Sequence, residues 1–536
     1  MKHLALILAA AALPAALPAQ DVTSWRQDLK VIAEQLPRRH PDAFYRMSRT
    51  SWDSAVASID GRLPQMNRDQ AVVAFMQLVA MVKDGHTSIN PIFDRAMNVH
   101  YYPVEFHQFE DGLYVKSAAP KYAALVGGKV TRLGKLPVEE ALRRVGTTIS
   151  HENEWFLKAW TGSRLNLAEI LHGLGITDDA TKLEITFERD GRSQTATLEP
   201  AGILPPATHG PNSGIDRSGW VDMRGSGPGA LWTRNAHTPY WWEFTADSTL
   251  YVSYRGVISM PHPTNEQFWA GVFAAADTLP LKRMVIDLRD NPGGNSFYNK
   301  QVIRGIVARP KIDQRGKLFA ITSGRTFSAA MNLVLDLEAW TNITLVGEPT
   351  GNATVFFGDH TDLPLPVSGL TVNVSTLPWH PDDPRDKRDA VNPRLYTPMT
   401  GAQYKANEDP SMKAIVARGT TPTIAMRVEQ AILSGDTVRA LSMIREEAAK
   451  PENRFRAPEP DINALGYRLL PSKPAAAIAV FRLNARAFPH SANTWDSLGE
   501  ALVANGQREA GVSAYREALR LSPGLPSATS ALERLR

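Results

Sequence analysis

The stretch MVIDLRDNPGGN, residues 284–295, decides the fold of the central part of the chain. It begins as a short run of apolar and β-branched residues, which predicts a buried strand. It ends in the sequence NPGG, residues 291–294, which cannot continue a strand. A proline with two glycines is typical of a tight turn, but glycine also lets another group approach the backbone closely. The pattern therefore predicts either a plain turn or a turn where a ligand meets bare backbone.

Predicted strands and helices alternate around this stretch, from residue 249 to residue 418. TLYVSYRGV and MVIDLRD read as strands separated by a helix, and GKLFAIT and ITLVGEPT as strands flanking the helix SAAMNLVLDLEAW. Such alternation is typical of layered α/β folds. We therefore expect an α/β core over residues 249–418 of a multidomain chain.

The residues before the core show three different patterns. Residues 20–95 carry apolar residues at helical spacing and predict an N-terminal helical domain. Residues 96–200 read as strands and one helix, with a hairpin around Asp190-Gly191. Residues 201–248 are rich in Gly, Pro and Trp without a clear period, which predicts a linker with irregular loops.

The end of the chain contains a repeat. Leu465-Gly466 recurs as Leu498-Gly499, and Phe481 recurs as Tyr515, each roughly 34 residues later. This is the tetratricopeptide pattern of stacked helix–turn–helix units, so residues 421–536 are expected to form a helical solenoid. Such solenoids usually bind peptides or partner proteins, although they can also only cap or dimerise.

The first residues, MKHLALILAAAALPAALPAQ, place one lysine before an apolar run and a small-residue cleavage pattern. Residues 1–19 are therefore expected to be a secretory signal peptide, since the run is too short and too broken by proline for a membrane anchor. The chain has no cysteine, which excludes disulfides and a thiol nucleophile. These features predict a secreted or periplasmic bacterial protein.

The charges are nearly balanced over the 536 residues, with 59 Lys and Arg against 55 Asp and Glu. No basic run is dense enough to predict a nucleic-acid partner. A chain of this length exceeds one core, so several domains are expected.

A second stretch, TSGRTFSAAMNLVLDL, places Ser328 at the start of an amphipathic helix that follows a strand. A hydroxyl there lies near the positive end of the helix dipole and near free backbone N–H groups. An acyl-transfer nucleophile needs these surroundings, because donors must face the developing oxyanion. Plain N-capping is the usual function of a serine in this position and remains the alternative. A third stretch, LVGEPTGN at residues 345–352, is another strand that ends in a loop.

In this order and at this spacing, DLRDNPGG, TSGRTFSAA and LVGEPTG resemble the tail-specific, or C-terminal-processing, serine peptidases. That family includes the tricorn core and the retinoid-binding interphotoreceptor proteins. The resemblance covers roughly residues 251–417 and implies a crotonase-like or ClpP-like α/β core with Ser328 as nucleophile. It also implies an oxyanion hole made by the amides of Gly293 or Gly294 and of Ala329.

The base of this family is in many members a lysine downstream of the serine, but position 353 is Ala and no lysine occurs between Lys317 and Lys387. The tricorn-like branch instead takes a histidine from its N-terminal helical domain, and VKDGHTSI supplies His86. Histidine is the natural base near neutral pH. A loop histidine that makes local caps is the alternative.

An acid should orient the imidazole and stabilise its charged form. Asp386 is the preferred candidate, and Glu348 and Asp389 are the alternatives. The tricorn-like branch also has a serine just before its histidine, where this chain has Gly85, so the relay of that branch is not reproduced in full.

The segment FEDGLYVKSAAPKYAALVGGKVTRLGKLPVEEA resembles the PDZ-like domain that many family members carry, and the insertion WFLKAWTGSRLNLAEILHGLGI interrupts that domain, which spans residues 96–200. Its LVGG turn, residues 125–128, would be the loop that holds a peptide carboxylate. The stretch WHPDDPRD does not match a metal-ligand spacing. No metal or cofactor is therefore expected.

These features together predict an exported serine peptidase, in which Ser328 attacks the peptide carbonyl to form an acyl-enzyme and His86 is the base. Its substrate would be a peptide or unfolded protein, and the repeats would bind a protein partner. The alternative is a catalytically inactive peptide- or ligand-binding scaffold on the same fold, which the absent lysine and the repeats favour. Neither nucleic acid nor a stable membrane anchor is expected.

Overall fold

The computed structural model of the protein describes residues 19–205, 214–225, 229–418 and 422–535. The chain forms two compact units. The first comprises Met1–Ile343, Glu348–Val391 and Pro398–Pro410, and the second comprises Thr344–Gly347, Asn392–Thr397 and Ser411–Arg536. The expected signal peptide lies outside the described residues except for its last position. Among the helices that the structure describes, none has the length and apolar character needed to cross a membrane.

The first unit begins with the helical segment that the sequence predicts. Its helices are α1 (Ala19–Arg39), α2 (Arg49–Arg62) and α3 (Arg68–Ala80). Asn67 caps α3 in a reciprocal capping box with Gln70, which satisfies the first free amides of the helix. Helix α3 is buried along most of its length, so the loop that follows it starts from a fixed point.

A strand module follows in the same unit. Its elements are β1 (His100–Tyr101), β2 (Val104–Phe109), β3 (Gly112–Ala118), β4 (Lys129–Leu133), β5 (Leu136–Pro137), α4 (Val138–Gly146), α5 (Glu154–Thr161), α6 (Ala168–Gly173), β6 (Leu183–Arg189), β7 (Arg192–Leu198), β8 (Gly202–Ile203) and β9 (Val221–Asp222). The main sheet has the order β2-β3-β4-β6-β7, with β5 beside β4 and β9 beside β3. The predicted hairpin around Asp190-Gly191 is confirmed, because β6 and β7 pair in register across it and both turn residues have positive φ.

The expected carboxylate loop of this module uses its amides internally. Gly127 N–H donates to the Val115 carbonyl at 2.9 Å, and Gly128 N–H donates to the Leu125 carbonyl at 3.0 Å. Val126 N–H donates to the Ala123 carbonyl at 3.2 Å. The peptide-binding capacity predicted for this loop therefore stays a prediction, and these three amides would have to change partners for it.

The predicted α/β core is present. Its elements in the first unit are β10 (Tyr240–Phe244), β11 (Thr249–Tyr254), α7 (Asn265–Thr278), β12 (Arg283–Asp287), α8 (Asn299–Val307), β13 (Leu318–Thr322), α9 (Ala329–Trp340), β15 (Phe356–Gly358), β16 (Thr361–Pro364), β17 (Thr371–Val374), β18 (Leu377–Trp379) and α10 (Gly401–Lys405). The elements β14 (Thr344–Gly347), β19 (Leu395–Tyr396) and, except for Pro410, α11 (Pro410–Ala417) belong to the second unit. In the first unit β11, β12 and β13 are parallel neighbours, and all their residues are buried. Strands buried on both faces read as continuous apolar runs, which is why the sequence predicts them well.

The sequence predicts a linker with irregular loops over residues 201–248, but part of this range forms a strand. Tyr240–Phe244 forms β10, which pairs antiparallel with β11 over five residues. The sequence YWWEF shows no alternation because Trp241 and Trp242 both remain partly exposed at this edge. Periodicity therefore could not distinguish the strand from a loop.

Two hairpins of the first unit position the loop after α3. Strand β15 pairs with β18, and β16 pairs with β17. Ser88 N–H donates to the Asn373 carbonyl at 3.0 Å, and Asn373 N–H donates to the Ser88 carbonyl at 2.9 Å. This bridge fixes residues 84–88 against the β17 hairpin.

The second unit contains β14 and β19, which pair parallel to each other, and the helical tail. The tail helices are α12 (Ile424–Leu433), α13 (Thr437–Ala449), α14 (Glu459–Leu469), α15 (Pro474–Ala487), α16 (Ala492–Ala504), α17 (Arg508–Leu521) and α18 (Pro526–Arg534). The repeated glycines lie where rings meet helix backbone, because a Cβ on Gly466 would lie 2.5 Å from the Phe481 ring and one on Gly499 would lie 2.9 Å from the Tyr515 ring. The predicted helical hairpins are therefore present, and their assignment as tetratricopeptide repeats stays a prediction.

Candidate active site

The NPGG turn after β12 is held in shape by one buried asparagine. Asn291 donates its side-chain N–H to the Tyr254 carbonyl at 2.8 Å. Its Oδ1 accepts the Gly293 N–H at 2.9 Å. Because this bond uses the Gly293 amide, that amide is not free for a ligand.

The Gly294 amide is in a different situation. Its neighbours bridge to Val257, since Val257 N–H donates to the Gly293 carbonyl at 2.8 Å and Asn295 N–H donates to the Val257 carbonyl at 2.7 Å. Successive amides of an extended segment point to opposite sides, so the Gly294 N–H points away from Val257. No acceptor for it is found within the described ranges. Of the two glycines, Gly294 is therefore the one with a donor to offer.

Glycine at position 293 is required by the approach of a second segment. Its φ is 106°, a conformation that side chains with a Cβ rarely adopt. A Cβ on Gly293 would lie 2.6 Å from the Ser328 Cβ and 2.8 Å from the Ala329 nitrogen. The strand therefore ends in bare backbone because the start of α9 packs directly against the turn.

Ser328 lies immediately before α9 in an unusual backbone conformation. Its φ is 56° and its ψ is −126°, and its side chain makes no capping hydrogen bond to the helix. N-capping is therefore not what this serine does. A non-glycine residue in such a conformation costs about 1–3 kcal/mol, and strain of this kind clusters at functional sites. The side chain is half-buried, so a small molecule can reach it.

The amide of Ala329 completes this part of the site. It lies at the positive end of α9, and the bonds made by the described residues include none from this N–H. Two unpaired amides, of Gly294 and Ala329, thus belong to the two segments that meet beside Ser328. Such donors are suited to an oxygen that becomes negatively charged.

His86 lies in the loop that follows α3, with 12% of its side chain exposed. Its ring stacks on Phe327 with centroids 4.4 Å apart and on Phe356 with centroids 5.9 Å apart. Burial lowers the pKa of His86, against the opposing effect of the nearby Asp84 charge. The ring is therefore neutral near pH 7 and able to accept a proton.

The contact between the His86 loop and the Ser328 segment is made by Phe327, the residue before the serine, whose ring stacks on His86. No hydrogen bond between His86 and Ser328 is found in the described part of the chain, and the buried Nδ1 of His86 has no partner there. Catalytic hydrogen bonds are often long or misaligned in the absence of substrate. The stacking on Phe327 therefore places the imidazole against the segment that carries Ser328, without a bond between the two side chains.

Asp84 is the carboxylate nearest to His86, and its Oδ1 lies 3.9 Å from the His86 Nδ1. The backbone N–H of His86 donates to the same oxygen at 3.1 Å. The side chains that donate to the other oxygen, Oδ2, are Thr87 at 2.6 Å, Ser375 at 2.6 Å and His40 at 3.1 Å. Burial alone would raise the pKa of Asp84, but these hydrogen bonds and the charge of His86 outweigh it and lower the pKa. Asp84 is thus a fully bonded carboxylate that fixes the His86 loop.

The three acids predicted from the sequence lie in other surroundings. Asp386 pairs with Arg388 at 2.8 Å, and Glu348 pairs with Lys158 at 3.0 Å. Asp389 is 75% exposed and pairs with Arg46 at 3.2 Å. None of the three contacts His86 in the ranges that the structure covers.

Two residues that sequence reasoning missed join the parts of the site. Asn352 Oδ1 accepts the Ser328 N–H at 2.5 Å, and Asn352 Nδ2 donates to Glu152 Oε1 at 3.1 Å. The same Glu152 oxygen accepts the Gly85 N–H at 3.3 Å. Asn352 belongs to the LVGEPTGN stretch but was not assigned a function, whereas Glu152 lies in no motif that could have signalled it. The adjacent Ala353, where the family's lysine was expected, is buried.

No group of three or more His, Asp or Glu side chains that could hold a metal ion is found among the residues in view. The groups at the site are a hydroxyl, an imidazole, carboxyls and free amides. This set fits acyl transfer to and from a serine.

No protein-family model matches the chain, and no curated protein matches it in sequence. Solved structures do match it. Mature CPAF in complex with lactacystin is 11% identical, covers 74% of this chain and 98% of its own, and has a TM-score of 0.54. A Ser-to-Ala mutant of CPAF is 11% identical, covers 76% of this chain and 100% of its own, and has a TM-score of 0.55.

A photosystem II D1 C-terminal processing protease also matches, at 13% identity over 74% of this chain and 97% of its own, with a TM-score of only 0.36. At such identities the comparisons show the fold alone. The chain has the fold of CPAF.

Proposed function

We propose that this protein is a serine peptidase that hydrolyses peptide bonds through an acyl-enzyme. Ser328 would attack the peptide carbonyl, and His86 would take its proton and later give it to the leaving amine. Water would then release the acyl group by the same route. The observation that carries this proposal is Ser328 itself, strained and uncapped beside the free amides of Gly294 and Ala329.

The two amides would act as the oxyanion hole. A tetrahedral intermediate places a negative oxygen near the nucleophile, and a fixed donor there is worth a factor of about 10²–10³ in rate. Gly294 and Ala329 supply one N–H each, whereas Gly293 supplies the close approach of the two segments. Of the two glycines that the resemblance implied, this proposal therefore assigns the oxyanion-hole amide to Gly294.

The acid of the proposed triad is reassigned to the His86 loop. Asp84 lies nearest to the imidazole, and its charge favours the imidazolium that forms during the reaction. Asp386, Glu348 and Asp389 each pair with a cation in this structure. We therefore propose Asp84 as the residue that orients and stabilises His86.

Export to the periplasm, peptide or unfolded-protein substrates and a protein partner for the helical tail belong to the same proposal. The apolar run at the N-terminus supports export, and the repeated helices of the second unit support the partner. The unlinked Ser328 and His86 favour the alternative of an inactive binding scaffold on the same fold. One experiment separates the two functions.

That experiment treats the mature protein with a fluorophosphonate probe and with a peptide library. We expect one labelled site and cleavage of peptides, and we expect Ser328→Ala to remove the label and lower kcat by about 10⁴-fold or more. Ser442→Ala, at an exposed serine of α13, is the control and should leave both unchanged. Lactacystin, which CPAF binds in its complex, provides a second probe. Wild-type protein that neither takes the label nor cleaves any peptide would establish the scaffold instead.

A further inference from the structure

The short segment of residues 150–153 lies between the His86 loop and the loop after β14. Ser150 Oγ accepts the Asp84 N–H at 3.1 Å. Asn153 Nδ2 donates to the Thr350 carbonyl at 3.2 Å, and its Oδ1 caps α5. The segment is therefore bonded on both sides, to the loop of the proposed base and to the loop that carries Asn352.

Glu152 stands at the centre of this segment and joins the two loops through one oxygen. Its Oε1 accepts from Gly85 N–H and from Asn352 Nδ2. The orientation of the Asn352 amide follows from its other contact, because the Ser328 N–H can only donate and so must face the Asn352 oxygen. The amide nitrogen then faces Glu152. A continuous series of bonds thus leads from the His86 loop to the backbone of Ser328.

Two buried carboxyls, Asp84 and Glu152, lie close together here, and their hydrogen bonds differ. Asp84 accepts four, from one amide and three side chains, which suits an ionised carboxylate. Glu152 accepts on Oε1 only, and its buried Oε2 meets no donor among the described residues. A lone buried oxygen of this kind suits a protonated carboxyl, because a second charge beside Asp84 would be unpaired.

We propose that Glu152, carrying a proton, is the positioning residue that holds the Asn352–Ser328 pair in place relative to the His86 loop. The inference rests on the proposed function. Glu152 touches neither substrate nor reacting atoms. It acts through Asn352, whose oxygen keeps the strained Ser328 backbone in its conformation.

Three further observations agree with this function. Burial, followed by the charge of Asp84, raises the pKa of Glu152 to about 8. Gly85 has no room for a side chain, because a Cβ there would lie 2.8 Å from the Phe327 ring and 3.2 Å from Glu152 Oε2. The charged or titratable groups that act on Glu152 from the surrounding loops are Asp84, with its partners His40 and His86, and Arg46. Ionisation of Glu152 would place its negative charge close to that of Asp84, and the repulsion would weaken the connection that Glu152 makes between the His86 loop and Asn352.

The test compares two substitutions in the full-length mature protein. Glutamine mimics a protonated carboxyl, with one acceptor and one donor, so Glu152→Gln should keep kcat near wild type below pH 8. Glu152→Ala removes the acceptor for the Asn352 amide. We expect kcat to fall by about 100-fold with KM little changed, because the variant misplaces the Ser328 nucleophile but does not alter substrate binding. Asn352→Ala should likewise lower kcat and leave KM little changed. Glu169→Gln, at a carboxyl of the same unit that bonds His100, is the matched control.

The pH profile distinguishes positioning from general stability. Wild-type kcat should decline above pH about 8 as Glu152 ionises, and Glu152→Gln should lack that decline. Equal kcat for wild type, Glu152→Ala and Asn352→Ala would overturn the inference, as would a Glu152→Gln variant with the activity of Glu152→Ala. If Glu152→Ala does not fold, the pH profile of Glu152→Gln still decides. A wild-type protein without label at Ser328 is the separate outcome that removes the proposed function itself.

Discussion

The strand module and the candidate site each contain a glycine pair next to a strand, and the amides of the two pairs differ in their hydrogen bonds. In the module, the amides of Gly127 and Gly128 both donate to carbonyls of the module. At the candidate site, Asn291 takes up the Gly293 amide, and the Gly294 amide is left without a described partner. A glycine turn therefore predicts close backbone approach, whereas only the hydrogen-bond partners of its N–H groups indicate whether it can bind a ligand.

The same contrast extends to the charged groups. Glu105 of the module is paired with Lys116 at 2.9 Å, so the charge of this half-buried carboxyl is compensated. Glu152 at the site has no cation within bonding distance in the described chain, although it is buried more deeply than Glu105. Functional sites are expected to keep such uncompensated groups, because their chemistry needs them. Paired substitutions, one in each region, test this contrast.

The largest difference in kcat between the two turns is expected when one glycine in each turn is replaced by alanine. Gly293→Ala would place its Cβ against Ser328 and the Ala329 amide at a φ of 106°, so we expect kcat to fall by about 10³-fold. Gly127→Ala has a φ of 81° but meets only Met223 at 3.9 Å. It should cost about 1 kcal/mol of stability and leave kcat unchanged. Steady-state kinetics with thermal unfolding measures both. Equal losses of kcat in the two variants would remove the distinction between the turns.

Much of this architecture could be predicted from the sequence. Buried parallel strands read as apolar runs, and the NPGG and TSGRTFSAA stretches lie together as the resemblance implied. Strand β10 was missed because its tryptophans are exposed on an edge. Periodicity records burial, and β10 is not buried on a single face.

The contacts of Asp84 and the linking residues Glu152 and Asn352 could not be predicted, for a different reason. Asp84 was within the quoted motif VKDGHTSI, yet its bonds to His40 and Ser375 come from distant parts of the chain. Glu152 lies in a segment without a motif, and only the fold brings it to Asn352. Spacing along a sequence reveals neighbours within one loop, whereas a site built from several loops depends on how the loops pack.

A second prediction compares two buried histidines. Burial lowers the pKa of His86 at the site, and Asp84 opposes that effect. The imidazole must be neutral to accept a proton, so kcat/KM should fall as pH drops through a value below 6.5. In His86→Ala the rate should be lower by a factor of about 10³ or more and the acidic limb should be absent.

His107 of the module is the matched control for this profile. Burial and then the charges of Lys116 and Arg325 lower the pKa of His107 to about 3. His107→Gln should therefore leave the acidic limb of the profile of kcat/KM against pH at the same pH as in wild type. A limb that persists in His86→Ala, or moves in His107→Gln, would assign the proton transfer to a different group.

The smallest effect concerns stability and compares Glu152 with Glu105. The pKa of Glu152 rises from 4.5 to about 8 on folding, so between these values the folded chain binds a proton that the unfolded chain has lost. Stability must then fall as pH rises through this window, and Glu152→Gln, which cannot titrate, should gain Tm relative to wild type over the same range.

The pKa of Glu105 shifts the other way, because the charges of Lys116 and Arg217 outweigh its burial. Its contribution is complete above 4.5 and is lost only at lower pH, so the Tm difference between Glu105→Gln and wild type should be flat from pH about 5 to about 8. Calorimetry across this range measures both differences. A flat difference for Glu152→Gln would mean that its carboxyl is ionised at neutral pH, and the contrast between a compensated and an uncompensated acid would then disappear.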